Sequence, residues 1–118
     1  MTKENFIAMI KTDFGNSLLS VDLWNNEDQV SLIGVNSNSE FYTIFMQTKN
    51  FLEKKLFEIG FPPINDFMIV NLEMDTIFLL IKLDENYSLG CLLDKSKIAF
   101  STLTRMLVPK ILKKFNNN

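Results

Sequence analysis

Three apolar segments crowd residues 67 to 93, parted each time by only two or three turn-forming residues. In Phe67 to Met74, Met68, Val70 and Leu72 alternate with Phe67, Ile69, Asn71 and Glu73, the period of two that belongs to a strand. Asp75-Thr76 makes a tight turn, and Ile77 to Leu83 is then almost unbroken apolar sequence, as in a central strand covered on both faces. Asp84-Glu85-Asn86 turns the chain again before a last strand, Tyr87 to Leu93. Connections this short join neighbouring strands antiparallel. A sheet with a doubly covered strand needs helices on its faces, and the rest of the chain has to provide them.

Lys3 to Thr12 carries Phe6, Ile7 and Ile10 at helical spacing, with Thr2 as N-cap and Gly15 beyond its end. From Asn16 to Trp24, Leu19, Val21 and Leu23 alternate with Ser20 and Asp22, which predicts a strand with one buried face. The polar turn Asn25-Asn26-Glu27-Asp28 leads into a second alternating run, Gln29 to Asn36, through Val30, Leu32 and Gly34, completing a hairpin. Gly34 marks a bulge or the close approach of a neighbouring element. Ser37-Asn38-Ser39-Glu40 reads as a capping box with Ser37 as N-cap. The helix it opens, Phe41 to Ile59, has apolar residues at 41, 44, 45, 52, 56 and 59, and Gly60 with Pro62-Pro63 ends it. A second set, Tyr42, Met46, Phe51 and Phe57, widens the apolar surface, as expected of a helix with more than one thing to pack against.

The closing segment, Lys97 to Phe115, is predicted helical with Ser96 or Asp94 as cap. Ala99, Leu103, Met106, Leu107, Ile111, Leu112 and Phe115 form its apolar face, and Pro109 kinks it. Lys110, Lys113 and Lys114 suit the negative pole of its dipole, and Asn116 to Asn118 reads as a frayed tail. No repeat and no linker interrupts the order helix, strand, strand, helix, strand, strand, strand, helix. The expectation is a single α+β domain over residues 1–118.

Composition narrows the chemistry. With 118 residues, 47% of them hydrophobic, the chain can bury a core without staples. It holds one cysteine and no histidine. Within one chain this excludes an internal disulfide, Ser-His-Asp and Cys-His nucleophile systems, and zinc or iron–sulfur sites built on histidines or several thiolates. Four glycines, never two within three residues, build no phosphate-cradling loop. A net charge of −2 and a pI of about 5.1 offer no broad basic footprint for a nucleic acid. The N-terminus turns acidic at Glu4 without a signal-type apolar core, and no apolar run approaches the ~20 residues that span a bilayer. A cytoplasmic protein follows, with no catalytic centre, metal or cofactor, no nucleic-acid partner and no direct membrane insertion.

The run Val70-Asn71-Leu72-Glu73-Met74-Asp75-Thr76-Ile77-Phe78-Leu79-Leu80-Ile81, then Tyr87-Ser88-Leu89-Gly90-Cys91-Leu92-Leu93-Asp94 leading into the last helix, resembles the roadblock (dynein light-chain type) domain family. The hairpin from Leu18 to Val35 does too, and the likeness extends from Phe6 to Phe115. The chain departs from the family pattern in three places: Asn25-Asn26-Glu27-Asp28 replaces the usual Asp-Gly turn, Lys97-Ile98-Ala99-Phe100 lacks a glycine many members carry, and Pro109 is unusual there. The resemblance implies a profilin-like fold, a five-stranded antiparallel sheet with helices on both faces. It implies a non-enzymatic module that dimerises with itself or a roadblock-like paralogue, and that binds or regulates a small Ras-like GTPase or scaffolds a complex. In such dimers the second helices pack together and the third strands pair. On this chain the implied interface is Phe41, Tyr42, Phe45, Met46, Lys49, Phe51 and Leu52 of the helix with Phe67, Ile69, Asn71 and Glu73 of the strand.

Read on their own, Phe41, Phe45 and Leu52 are either interface anchors or core facing the chain's own sheet, while Tyr42, Met46 and Phe51, off the main stripe, are expected to meet a partner. Trp24, at the hairpin tip, either packs on a neighbouring loop or meets a partner. Arg105, the only arginine, reads as a surface or ion-pairing residue rather than an arginine finger. Cys91 alternates with Leu89 and Leu93 and is expected to be buried and inert. Asp22, Glu73, Asp75, Asp84, Glu85 and Asp94, most at turns or strand ends, form no catalytic pair. Two other classes stand beside the interaction module. One is a ligand-sensing α/β domain holding a small molecule between sheet and helix. The other is a type III secretion chaperone, whose three strands before the middle helix and two after reverse the order found here.

Overall fold

The computed structural model describes residues 2–37 and 39–116, Ser39 by its backbone alone. Its elements are α1 (Lys3–Phe14), β1 (Leu18–Asn25), β2 (Val30–Val35), α2 (Ser39–Glu58), β3 (Phe67–Leu72), β4 (Thr76–Lys82) and β5 (Tyr87–Asp94). A closing helix follows in three parts: α3 (Phe100–Thr102), a π-helical turn (Leu103–Leu107) and α4 (Val108–Asn116). The strands form one antiparallel sheet in the order β2-β1-β5-β4-β3, with β2 and β3 at its edges.

Helices cover both faces, as the unbroken apolar run of β4 requires. On one face α1 and the closing helix bury Phe6, Ile10, Leu103 and Ile111 against Val21, Leu23, Leu79, Leu89 and Leu93. On the other, Tyr42 and Met46 of α2 meet Trp24, Phe78 and Leu80. Successive residues of β4 alternate between these two cores, so every residue from Ile77 to Ile81 is buried.

The helix ends follow local chemistry. Thr2 Oγ1 accepts from the Asn5 amide at 3.0 Å, and Gly15, at φ +56°, stops α1 two residues beyond the expected Thr12 because Phe14 is also buried. At the end of α2 the Phe61 amide donates to the Leu56 carbonyl (2.8 Å) and the Gly60 amide to that of Phe57 (3.1 Å), a Schellman motif with Gly60 at φ +84°.

Several expectations need correction. β1 is buried on both faces, Ser20, Asp22 and Trp24 as well as Val21 and Leu23, because α2 covers the face that alternation assigns to water. Leu19 is exposed where the β1–β5 register shifts. In β2 it is Ile33 and Val35 that pack on the core, while Val30 and Leu32 are exposed. Leu23 pairs with Ile33 but Trp24 with Ser31, so Leu32 is the extra residue of a bulge, and one inserted residue reverses the alternation. Ser37 is not the N-cap: α2 starts at Ser39, and the Ser37 hydroxyl donates instead to Asp22 Oδ1 at 2.6 Å. Asn38, within the expected capping box, lies outside the described residues. β3 stops at Leu72, and Glu73 to Asp75 turn the chain with Met74 and Asp75 at φ +60° and +54°, leaving Thr76 in β4.

The closing helix also starts later than expected. Asp94 caps a 3₁₀ turn, Lys95–Lys97, by accepting from the Ser96 hydroxyl (2.6 Å) and amide (3.0 Å), hydrogen bonds that hold its carboxyl below the usual range. Helix proper begins at Phe100. Pro109 lacks an N–H and its ring crowds the carbonyl four residues back; the π turn just upstream, where the Val108 amide reaches the Leu103 carbonyl, takes up that misfit. The wider turn delays the apolar face by one residue, so Val108 is buried while Met106 is exposed; Ala99 is exposed because it stands ahead of the helix, in extended backbone. Asn116 still belongs to α4, and the remainder of the expected tail, 117–118, lies outside the described residues.

Candidate functional site

The buried line of α2 is Tyr42, Met46 and Lys49, continued by half-buried Glu53 and Leu56 at the four–three spacing of one helix face. Tyr42 fixes which face turns inward. Its hydroxyl donates to the Gly90 carbonyl of β5 (3.2 Å) and lies 3.0 Å from Ser20 Oγ of β1, which donates to the Asn36 carbonyl (3.0 Å). Gly90 makes room for the ring, since a Cβ there would stand inside it. Burial pushes the Tyr42 phenol well above its ordinary pKa.

Beneath this contact Asp22 is fully buried, paired in register with Gly34 of β2 and Gly90 of β5. Its Oδ1 accepts from the hydroxyls of Ser31 (2.5 Å) and Ser37 (2.6 Å), while Oδ2 has no hydrogen-bond partner among the described residues. A Cβ on Gly34 would land on the carboxylate. Asp22 therefore sits in mid-strand rather than at a turn, and clamps the β2–α2 connection onto the sheet. Only the strand register brings its two flanking glycines together, which hides the arrangement from the sequence.

Around the helix from Tyr42, Phe45 stacks on Phe78 of β4 (centroids 3.8 Å apart) and Phe41 meets the same ring edge-on at 5.4 Å. Met68, Val70 and Leu72 of β3 pack on this cluster too. The side of α2 that carries Phe41 and Phe45 thus leans toward the β3 edge. Further round on that side come Leu52 (40% exposed), Ile44 (59%) and Phe51 (63%). The opposite flank carries Thr43, Gln47, Asn50 and Lys54, with exposed Phe57 its one large apolar residue. One flank of α2 is therefore apolar and, at Ile44, Phe51 and Leu52, open to solvent, and it lies beside a strand that among the described residues pairs with β4 alone.

Of the residues expected at an interface, Phe51 and Leu52 stand on this flank and Phe41 and Phe45 are half-buried along it. Tyr42 and Met46, expected to face a partner, are instead spent on the chain's own sheet, because the hydrogen bonds of Tyr42 choose that line of the helix for the core. Lys49 is buried beside them and pairs with Glu53 at 2.6 Å. Phe67 and Ile69 are half-buried on the opposite face of the sheet, the one shared by α1 and the closing helix, Asn71 is exposed, and Glu73 lies in the turn beyond β3; the residues of β3 on the α2 side are Met68, Val70 and Leu72. Ile44 was legible only as a stripe member, though its spacing of seven from Phe51 places the two on one exposed line. Trp24 is buried in the α2 core. Cys91 is fully buried, and burial raises its thiol pKa far beyond the usual range. Arg105 is exposed in the π turn.

Among the described residues no three His, Cys, Asp or Glu side chains are grouped to hold a metal, and no helix is long and apolar enough to cross a membrane. A cleft of about 350 Å³ lies between Thr2, Phe6, Tyr87 and Phe115, and another of about 320 Å³ between Ile69, Ile77, Ile98 and Phe100. Neither lies between α2 and the sheet.

No family model and no curated protein matches the sequence. Solved structures do match the fold. A Roadblock/LC7 domain from Streptomyces avermitilis superposes with a TM-score of 0.75 at 9% identity, covering 99% of this chain and 97% of that one. The gliding protein MglB from Thermus thermophilus gives 0.70 at 9% identity, over 97% of this chain and 87% of that one. Myxococcus xanthus MglB gives 0.70 at 11% identity, over 99% and 93%. The chain has a roadblock-type fold.

Proposed function

We propose that this roadblock-type chain is a non-enzymatic, dimerising interaction module that docks or regulates a small Ras-like GTPase, or holds a complex together. The observation that carries the reading is the single apolar flank of α2 beside the open edge of β3. The sheet-facing line of the helix is already filled, so Ile44, Phe51 and Leu52 have no use inside the chain. A contiguous apolar patch of this kind marks a protein contact, and an apolar edge strand left open is a hazard that a partner strand removes. Phe41, Phe45, Phe51 and Leu52 line the contact with the β3 edge, Phe67 to Glu73, alongside; Tyr42, Met46 and Lys49 stand behind it and hold the helix in place. The partner is a second copy or a roadblock-like paralogue, and the GTPase link rests on the family resemblance of sequence and fold.

Light scattering on the purified chain tests the dimer: a mass near twice 13.7 kDa is expected. A monodisperse monomer at the highest attainable concentration overturns it, since an orphaned half with this flank would aggregate instead. Affinity capture with the immobilised chain, in the presence of GTP or GDP, tests the second half of the reading. Recovery of a Ras-like GTPase is expected, and its absence under both nucleotides leaves scaffolding as the function.

A further inference from the structure

Charge divides this molecule by face of the sheet. α1 and the closing helix run antiparallel side by side, joined by the Phe6–Phe115 ring contact (5.3 Å) and the Lys110–Asp13 ion pair (2.8 Å). With the 3₁₀ turn Lys95–Lys97 they form one layer, on the sheet face opposite α2. Residues 2–14 and 94–116 hold eight of the twelve lysines and arginines, two on α1 and six between Lys95 and Lys114, and all eight are exposed. Only three carboxylates lie among them. Asp13 is held by Lys110 and Asp94 by Ser96, which leaves Glu4 as the exposed acid of the layer. The rest of the chain carries four cations against eleven acids. The whole-chain charge of −2 thus conceals a layer of +5 backed by −7.

We infer that this layer docks on an anionic lipid bilayer, the chain lying on the surface by its two-helix face without crossing it. The inference goes beyond the dimer reading and uses the other face of the sheet. The cations are spread along both helices and the turn, so each can meet its own headgroup, whereas a protein partner would need its carboxylates in a fixed register. Phe100 (64% exposed) and Met106 (65%) stand on the same layer, beside Arg105. Apolar side chains among cations suit the headgroup boundary of a bilayer and find nothing to bind on a phosphodiester backbone. Near an anionic leaflet each lysine or arginine adds its own attraction, and clusters of this size hold a helical face to the surface. The acidic remainder of the chain is repelled by the same field, which turns the layer toward the lipid.

The test floats the full chain with vesicles of phosphatidylcholine, alone or with about 30% phosphatidylserine. At about 0.1 M NaCl the chain should bind the anionic vesicles at least roughly tenfold better than the neutral ones, and about 0.5 M NaCl should release it. Arg105→Gln with Lys113→Gln should weaken binding by about 25-fold, roughly fivefold for each cation removed. Lys3→Gln with Lys11→Gln, on α1, should weaken it likewise and decides the matter if the first pair misfolds. Lys54→Gln with Lys55→Gln removes the same charge from α2, on the far face, and should leave binding within about twofold. Equal binding to both vesicles, or an equal loss in the α2 pair, overturns the lipid surface. A chain that ignores the anionic vesicles yet captures polyglutamate or duplex DNA overturns it too, and gives the layer to an acidic macromolecule. None of these outcomes bears on the solution mass that tests the dimer.

Discussion

Replacing Phe51 by alanine should break the dimer and leave the fold intact. Phe51 is 63% exposed in the single chain, with the Lys55 ammonium 5.6 Å from its ring centroid. A phenylalanine offers about 150–250 Å² for burial, so roughly 100–150 Å² of this one stays in water until a partner covers it. At about 25 cal/mol per Å² that cover is worth ~2.5–4 kcal/mol per copy, and a two-fold interface loses it twice. Relaxation around the truncated site returns part of this. Even a net loss of about 3 kcal/mol raises the dissociation constant by ~100-fold or more. The isolated chain gives up little buried surface, so its own stability should move by less than about 0.5 kcal/mol. The assay is a dilution series by light scattering, with thermal melts at concentrations where parent and variant are both monomeric, because dimerisation itself raises Tm. A variant that keeps dimer mass at every dilution refutes the placement of the interface. A variant whose monomer melts much earlier shows instead that the ring belongs to the core.

Three other outcomes follow from the core side of α2. Gly90→Ala should cost about 1–3 kcal/mol through the clash with the Tyr42 ring, less up to ~1 kcal/mol returned by stiffening the unfolded chain; it reads as a lower urea midpoint at unchanged slope, and the penalty should shrink in a Tyr42→Ala background. Tyr42→Phe should destabilise by about 1–3 kcal/mol, because the buried Gly90 carbonyl loses its donor, while solution mass stays the same. Stability should also fall in alkali. Cys91 and Tyr42 both have raised folded-state pKa values, so above their ordinary values of 9.0 and 10.0 the unfolded chain sheds protons that the folded chain keeps. Unfolding then becomes easier by about 1.4 kcal/mol per pH unit for each group in turn, and below pH 9 neither contributes a slope. Urea midpoints between pH 8 and pH 10.5 check this, and Cys91→Ala should remove the earlier part of the decline.

The meander of β3 to β5, the hairpin before it and the helices on both faces were legible because each rests on a local period or a turn. The failures came where register or tertiary contact outweighs the period. Alternation assigned Ser20 and Asp22 to water, but α2 lies over them, and Ser20 Oγ and Asp22 Oδ1 find hydrogen-bond partners in Tyr42, Ser31 and Ser37 at distant positions. Leu32 broke the phase of β2 through a bulge, and the π turn broke that of the closing helix; neither insertion leaves a mark in residue type. For α2 the sequence showed two apolar lines and could not say which one met the sheet. The hydrogen bonds of Tyr42 decide that, and they draw Tyr42 and Met46, both expected to meet a partner, into the core while Phe51 stays outside.

The row of Gly34, Asp22 and Gly90 across three strands, with Tyr42 above it, also governs how such a chain can change over time. The four positions behave as one inherited character. A larger residue at 90 is costly until 42 has shrunk, one at 34 meets the Val21 carbonyl as well as the Asp22 carboxylate, and loss of the carboxylate strands the hydroxyls of Ser31 and Ser37. Change at any single member is penalised, and position 34 stays closed even when 22 is smaller. A chimaera that imports the β1–β2 hairpin of another chain with this fold should therefore fold only when the donor's residues at these sites suit the recipient's β5 and α2.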